Sequence, residues 1–358
     1  MSVNEAMETQ SITSGSRPRL FTTSGGAQIF QIPLDAFPGL AGYVYLVLVE
    51  SAEFGPMQVL IDTGSGYGAA NQHLEAGLSF ISDQVGQAIG LESLTHVLIT
   101  HGHIDHFGGL TYVRPRTPAQ IGVHELDRRI LTNYEERLAI IARRLDEFLI
   151  EAGVAPARRV KLLEMYKITK RLFHSVKIDF TFEAMGMRVG PFELLHVPGH
   201  CAGHVVIRLH DVLFSGDHIL EHTSPHQSPE HLTLSTGLDH YLRSLAELQA
   251  WAGNIRLTLG GHEQPIADLP GRVEQIRTLH RQRLDKVLEL LNAPRTVSEV
   301  SHGLFGELDG YNVLLALEET GAHVEYLYQR GLLGIENFTE LENSPGPLPL
   351  HYYRLPQE

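Results

Sequence analysis

The run His101-Gly102-His103-Ile104-Asp105-His106 constrains what this chain can fold into more than any other stretch. It follows His96-Val97-Leu98-Ile99-Thr100, an apolar segment with the pattern of a buried strand. In an extended segment residues i and i+2 share a side, so His101 and His103 can grip one cation together. The chain then turns, and Asp105 with His106 can face a second cation beside the first. Gly102 allows close backbone approach, and Phe107-Gly108-Gly109 gives an exit able to start a helix.

Two cations need more donors, and these sit at strand ends. Pro198-Gly199-His200 follows a strand expected at 193–197, Ser215-Gly216-Asp217 one at 212–214, and Gly260-Gly261-His262 one at 257–259. Each donor leaves its strand through a glycine turn, which suits side chains aimed into a common cleft. The count of 21 histidines points the same way, because imidazole is the commonest metal ligand and a near-neutral acid or base. Cys201, the single cysteine, makes no internal disulfide; it reads as a small structural residue and fits a reducing compartment.

Residues 1–27 read as a flexible lead-in without the apolar stretch of a secretory signal. No run approaches ~18 apolar residues, so no membrane-spanning helix is expected, and the expected location is cytoplasmic. Strands at 43–49 and 57–61 lead to the turn Asp62-Thr63-Gly64-Ser65-Gly66, and residues 71–89 look helical. From Glu125 to Leu149 apolar residues recur at three- and four-residue steps, the period of an amphipathic helix, and a second, basic helical stretch follows. The expected organisation is α/β over 28–268 with a helical insertion at 125–174. A small helical, winged-helix-like unit is expected over 269–358.

The ordered set Asp62, His101-x-His103-x-Asp105-His106, His200, Asp217 and His262 resembles the metallo-β-lactamase superfamily, a four-layer αββα sandwich with its metal cleft at one edge. The resemblance implies that His101, His103 and His200 hold one metal, that Asp105, His106 and His262 hold a second, and that Asp217 bridges them. Asp105 and Asp217 are then the carboxylates closest to the chemistry. Asp62 is expected behind the ligands, fixing their loop through hydrogen bonds. Imidazole and carboxylate donors suit two Zn²⁺ per chain, with Fe or Mn also compatible. Such a pair can lower the pKa of a shared water from about 15.7 to roughly 7, giving a bridging hydroxide able to attack carbon or phosphorus.

Asp217, together with the texture of the tail, is similar to the glyoxalase II-like and β-lactamase-like 2 branch, which implies a small thioester, ester or lactone as substrate. A phosphodiesterase or endoribonuclease on RNA is the alternative, and a mononuclear-iron persulfide dioxygenase a more distant one. Charge disfavours nucleic acid: the chain carries −14 overall, and residues 271–358 hold eight Lys/Arg against thirteen Asp/Glu. The insertion, with eleven Lys/Arg against eight Asp/Glu, is read as a lid or homodimer interface. Tyr241, beside the histidine-rich 217–240 loop, and His280, Arg281 and Arg283, a basic edge suited to a carboxylate or phosphate, are the expected substrate contacts.

Overall fold

A computed structural model describes residues 17–356. Its first sheet runs in chain order through β1 (Arg19–Thr22), β2 (Gln28–Phe37), β3 (Leu40–Ser51), β4 (Gly55–Ile61), β5 (His96–Leu98), β6 (Gln120–Val123) and β7 (Phe180–Thr181). Pairing is antiparallel from β1 to β4 and parallel from β4 to β7. The second sheet contains β8 (Arg188–Val189), β9 (Phe192–His196), β10 (Val205–Leu209), β11 (Val212–Gly216) and β12 (Leu257–Gly260), in the order β12-β11-β10-β9-β8. β1 lies within the stretch expected to be a flexible lead-in. It pairs with β2 from Arg19↔Gln31 to Thr22↔Gln28, which corrects that expectation for residues 19–22; residues 1–16 lie outside the described part.

The strand β3 explains the layering. Val44 and Leu46 point into a core with α1 (Ala70–Val85), where Leu74, Leu78 and Ile81 meet them. Tyr45, Val47 and Val49 point the other way, into a core shared with Val205, Ile207, Val212 and Phe214 of the second sheet. A period of two splits one apolar strand between two cores, so it is buried on both faces. The far side of the second sheet packs Val206 and Leu213 against Leu245 and Leu248 of α7 (Leu238–Ala252). Helix, sheet, sheet and helix give the expected four layers.

Two short helices, α2 (Ile104–Phe107) and α3 (Leu110–Val113), follow β5. The insertion forms α4 (Glu125–Thr132), α5 (Tyr134–Glu151) and α6 (Pro156–Lys170). The single helix expected from Glu125 breaks at Asn133, whose φ of −133° and ψ of 44° leave the helical region, and Leu126 is exposed. After α7 come α8 (Leu269–Leu290), α9 (Val297–Phe305) and α10 (Gly310–Gln329), then the antiparallel pair β13 (Leu333–Ile335) and β14 (Tyr352–Arg354) with the short helix α11 (Phe338–Asn343) between them. Leu145, Phe148, Leu149 and Leu162 of the insertion share one core with Val287, Val300, Leu314 and Leu317 of this tail. The amphipathic face of the insertion is thus covered largely by the chain's own C-terminal helices. Val273 and Ile276 in the first half of α8 join the core against the second sheet, so packing is continuous across residue 268. Among the described residues no helix is long and apolar enough to cross a membrane.

Candidate metal centre

Parallel strands β4 and β5 end side by side, as do β11 and β12, and all the donors but His200 follow these ends. β5 leads through Thr100 to His101 and His103, and α2 then turns Asp105 and His106 inward. From the second sheet come His200 after β9, Asp217 after β11 and His262 after β12. Two glycines have no substitute here. Gly199 has a φ of +140°, and a Cβ there would lie 2.5 Å from Tyr241 Cα. A Cβ on Gly261 would lie 2.4 Å from His106 Cε1 and 2.6 Å from Asp217 Oδ1.

The donors form two groups, His101–His103–His200 and Asp105–His106–Asp217–His262, each with ligand atoms within 4.8 Å of one another. Asp217 spans them: Oδ1 lies 3.3 Å from His106 Nε2, and Oδ2 lies 3.4 Å from His262 Nε2 and 3.9 Å from His200 Nε2. His262 Nε2 also lies 3.3 Å from Asp105 Oδ2.

Partners on the far side fix the orientation of four of the rings. His106 Nδ1–H donates to Asp62 Oδ2 (2.8 Å), His200 Nδ1–H to the His226 carbonyl (2.7 Å) and His262 Nδ1–H to the Ala41 carbonyl (2.6 Å). His101 Nδ1–H donates to Thr100 Oγ1 (3.1 Å), whose hydroxyl donates to Asp62 Oδ2 (2.8 Å). These acceptors set the tautomers, so four rings present Nε2 lone pairs to the cleft. His101 Nε2, His106 Nε2, His200 Nε2 and Asp217 Oδ1 are buried without a hydrogen-bond partner. Converging, unpartnered nitrogen and carboxylate donors fit divalent cations, because burial of unsatisfied polar atoms is otherwise costly.

Electrostatics agree with that fit. Burial opposes a charge on His106, but Asp217 and Asp62 overcome it and hold the imidazole well above its usual value. Burial likewise opposes a charge on His262, and Asp217 with Asp105 overcomes it. Burial pushes Asp217 upward, yet His262 and His106 draw it well below the carboxylate range. The pocket is built to hold positive charge, and a metal binding there displaces protons.

Asp62 lies behind the candidate donors. It accepts from Thr100 N (2.7 Å), Thr100 Oγ1 and His106, and has a φ of 60°. A second supporting carboxylate was missed. Asp127, wholly buried on α4, accepts from Gly102 N (2.7 Å), Gly203 N (2.8 Å) and Cys201 Sγ (3.3 Å), joining the two loops that carry His101, His103 and His200. Burial raises its carboxyl despite those donors. Its position three and four residues before Ile130 and Leu131, on the apolar stripe, was the available signal. Also missed were His204, which stacks on His101 at 4.5 Å and accepts from Asp217 N (3.1 Å), and Lys170, whose Nζ lies 6.0 Å from the Tyr166 ring. Burial lowers the Lys170 ammonium, with Asp105 and Glu318 opposing that shift.

The expected substrate contacts lie elsewhere. Tyr241 is fully buried and its hydroxyl donates to the His218 carbonyl (2.9 Å), because α7 packs that face onto the second sheet. His280 is also fully buried, bonded to His323 Nε2 (3.1 Å) and Ser224 Oγ (2.9 Å). Arg283 pairs with Glu319 (2.7 Å), and Arg281 is exposed, 3.9 Å from Glu274. The basic edge expected over the cleft is therefore corrected: α8 turns His280 inward and spends Arg283 on an internal ion pair.

His280 makes a pH prediction. Burial, reinforced by His323, lowers it to about 3, whereas in an unfolded chain it titrates near ~6.5. The unfolded state therefore takes up a proton that the folded state refuses. The stability this group contributes is complete above about pH 6.5 and is lost as pH falls towards 3, at up to ~1.4 kcal/mol per pH unit. In chelator, the urea midpoint should fall between about pH 7 and 5, and His280→Gln should flatten that slope; an unchanged slope contradicts the assignment.

Comparisons with known proteins agree with this architecture. The family profile described as Metallo-beta-lactamase superfamily matches residues 57–293. The lactamase-like protein nscB of Neosartorya fischeri is 26% identical over 258 residues, 72% of this chain and 60% of that protein. This chain thus spans about 60% of the length of that curated relative. The crystal structure of a metallo-beta-lactamase family protein from Thermus thermophilus superposes with a TM-score of 0.70 at 28% identity, covering 91% of this chain and 98% of the other. A beta-lactamase domain protein from Burkholderia ambifaria shares the fold, with a TM-score of 0.68 at 22% identity over 96% and 97% of the two chains. Because the family profile covers well over half of its length, this chain belongs to the metallo-beta-lactamase superfamily.

Proposed function

We propose that the chain is a dinuclear metal-dependent hydrolase acting on a small thioester, ester or lactone. The observation that carries this reading is Asp217, whose two oxygens reach from one donor group to the other. When bound, a pair of divalent cations supplies Lewis-acid polarisation and a lowered water pKa. Zn²⁺ is favoured by the donor set of three imidazoles on one side and imidazoles with carboxylates on the other, and Fe and Mn remain compatible.

The chain's own residues do the rest. Asp62 and the backbone acceptors hold the rings in one tautomer. Asp105 and Asp217 concentrate negative charge between the donor groups. The acidic balance of the chain supports a small-molecule substrate over nucleic acid. The single buried cysteine supports a reducing, cytoplasmic setting, and three tail helices followed by a strand pair that flanks a fourth, short helix support a winged-helix-like unit. A homodimer is proposed through exposed apolar residues of the insertion such as Val160 and Ile168.

The test is a panel of acyl-thioesters, homoserine lactones, bis-p-nitrophenyl phosphate and short RNA on Zn-, Mn- and Fe-loaded protein. Thioester or lactone turnover with two metals per chain is expected. Phosphodiester turnover with silent thioesters and lactones would favour the nuclease reading. One iron per chain with oxygen uptake on a persulfide would favour the dioxygenase.

A further inference from the structure

Helix α10 stitches the 217–237 loop to the tail through three glutamates. Glu318 accepts from Ser228 Oγ (2.7 Å) and His226 Nε2 (3.1 Å), and Glu325 from Glu230 N (2.7 Å). Glu319 alone reaches a metal-centre residue through a single peptide unit. The carbonyl of the 226–227 peptide accepts His200 Nδ1–H at 2.7 Å, and its N–H donates to Glu319 Oε2 at 2.8 Å. A carboxylate on the N–H side polarises the amide and makes its oxygen a stronger acceptor. A stronger acceptor on Nδ1–H makes Nε2 a stronger metal donor and locks the ring.

Glu319 is itself fixed. It is buried, and its other oxygen accepts from Arg283 Nη1 at 2.7 Å. Burial works against its charge, but Arg283 and the neighbouring histidines hold its carboxyl at about 2, so it is ionised at neutral pH. Behind it, His323 Nδ1–H donates to the Glu319 carbonyl (2.7 Å). His323 Nε2 then accepts from His280 Nδ1–H (3.1 Å), and His280 Nε2 accepts from the Ser224 hydroxyl (2.9 Å). His280, Glu319 and His323 are close enough to hold a cation, yet none of their polar atoms is orphaned, unlike those of His101, His106, His200 and Asp217. The trio reads as a brace for Glu319 rather than a third metal site.

We infer that Glu319 is a positioning residue for the His101–His103–His200 cation, acting on His200 through the 226–227 peptide, so that the C-terminal unit is part of the metal centre's support. The inference rests on the dinuclear centre proposed above.

Full-length, chelator-stripped protein titrated with Zn²⁺ against a chromophoric chelator, and with Co²⁺ read in the visible spectrum, tests it. Wild type should bind two equivalents. Glu319→Gln keeps an acceptor for Gln227 N but loses the charge, and affinity at one of the two sites should fall about ten- to hundred-fold, with an altered Co²⁺ spectrum. Glu325→Gln removes a like charge from the same helix at the Glu230 amide, which does not lead to a metal-centre residue, and should leave both affinities unchanged. Should Glu319→Gln fail to fold, the double variant with Arg283→Leu, uncharged on both sides, carries the same expected loss. Affinities within twofold of wild type in Glu319→Gln, an equal loss in Glu325→Gln, or a third equivalent that vanishes in Glu319→Gln would overturn the inference. A wild type that fails to bind two equivalents would remove the centre itself, and with it the inference.

Discussion

Replacing Asp217 with alanine is expected to leave the fold intact, strip the protein of most of its metal and lower turnover by roughly 10³-fold or more. Loss of metal would remove the Lewis-acid polarisation and the lowered water pKa that a bound pair of cations would supply, a change large enough to support that figure. The fold should survive because His106 and His262 keep their outer partners, Asp62 and the Ala41 carbonyl. Without Asp217, the two donor groups lose the carboxylate within reach of both, and the remaining imidazoles face one another with less compensating charge. Metal content by mass spectrometry, far-ultraviolet circular dichroism and turnover together check this. A folded variant that keeps two metals and full turnover would sink the bridging assignment. Asp105→Ala and His262→Ala should lower metal content and abolish turnover in the same way, because their side chains meet at 3.3 Å.

Asp127→Ala carries the largest expected effect on stability. It leaves the Gly102 and Gly203 amides buried without an acceptor, and each such loss costs about 1–3 kcal/mol, so the fold should lose about 2–6 kcal/mol. Asp127→Asn should recover only part of that loss, since its NH₂ group would confront one of the two N–H donors. Both loops carry ligands, so metal affinity should fall with stability. Equilibrium unfolding of the metal-free protein in urea measures the effect; a loss below ~0.5 kcal/mol would show that the carboxylate is dispensable.

Much of the centre was legible because its residues are grouped by local rules. The His101–His106 block, and donors after glycines at the ends of strands, follow from strand periodicity and turn chemistry, which act over a few residues. The place of Asp62 behind the donors came only from the family resemblance, since local rules mark it merely as part of a turn. Tyr241 and His280 were misplaced because helix position alone does not say which face meets the core. Tyr241 opens a helix whose inner face packs on Val206 and Leu213, and His280 lies on the buried side of α8. Asp127 was missed because its partners, Gly102 and Gly203, are far apart along the chain. The break at Asn133 follows from tertiary contact as well: Tyr134 N donates to Ser175 Oγ at 2.9 Å, which takes the chain out of a continuous helix.

The amino-acid order alone determined the strands, the glycine turns and the donor types, because these depend on neighbours a few residues away. Only the tertiary structure decided which nitrogen of each histidine faces the cleft, since that depends on acceptors such as the His226 and Ala41 carbonyls, distant in sequence. It also decided that the insertion and the tail share one core and that Glu319 stands one peptide from His200. Contacts of that kind form when separate elements pack, and no local pattern of side chains encodes them.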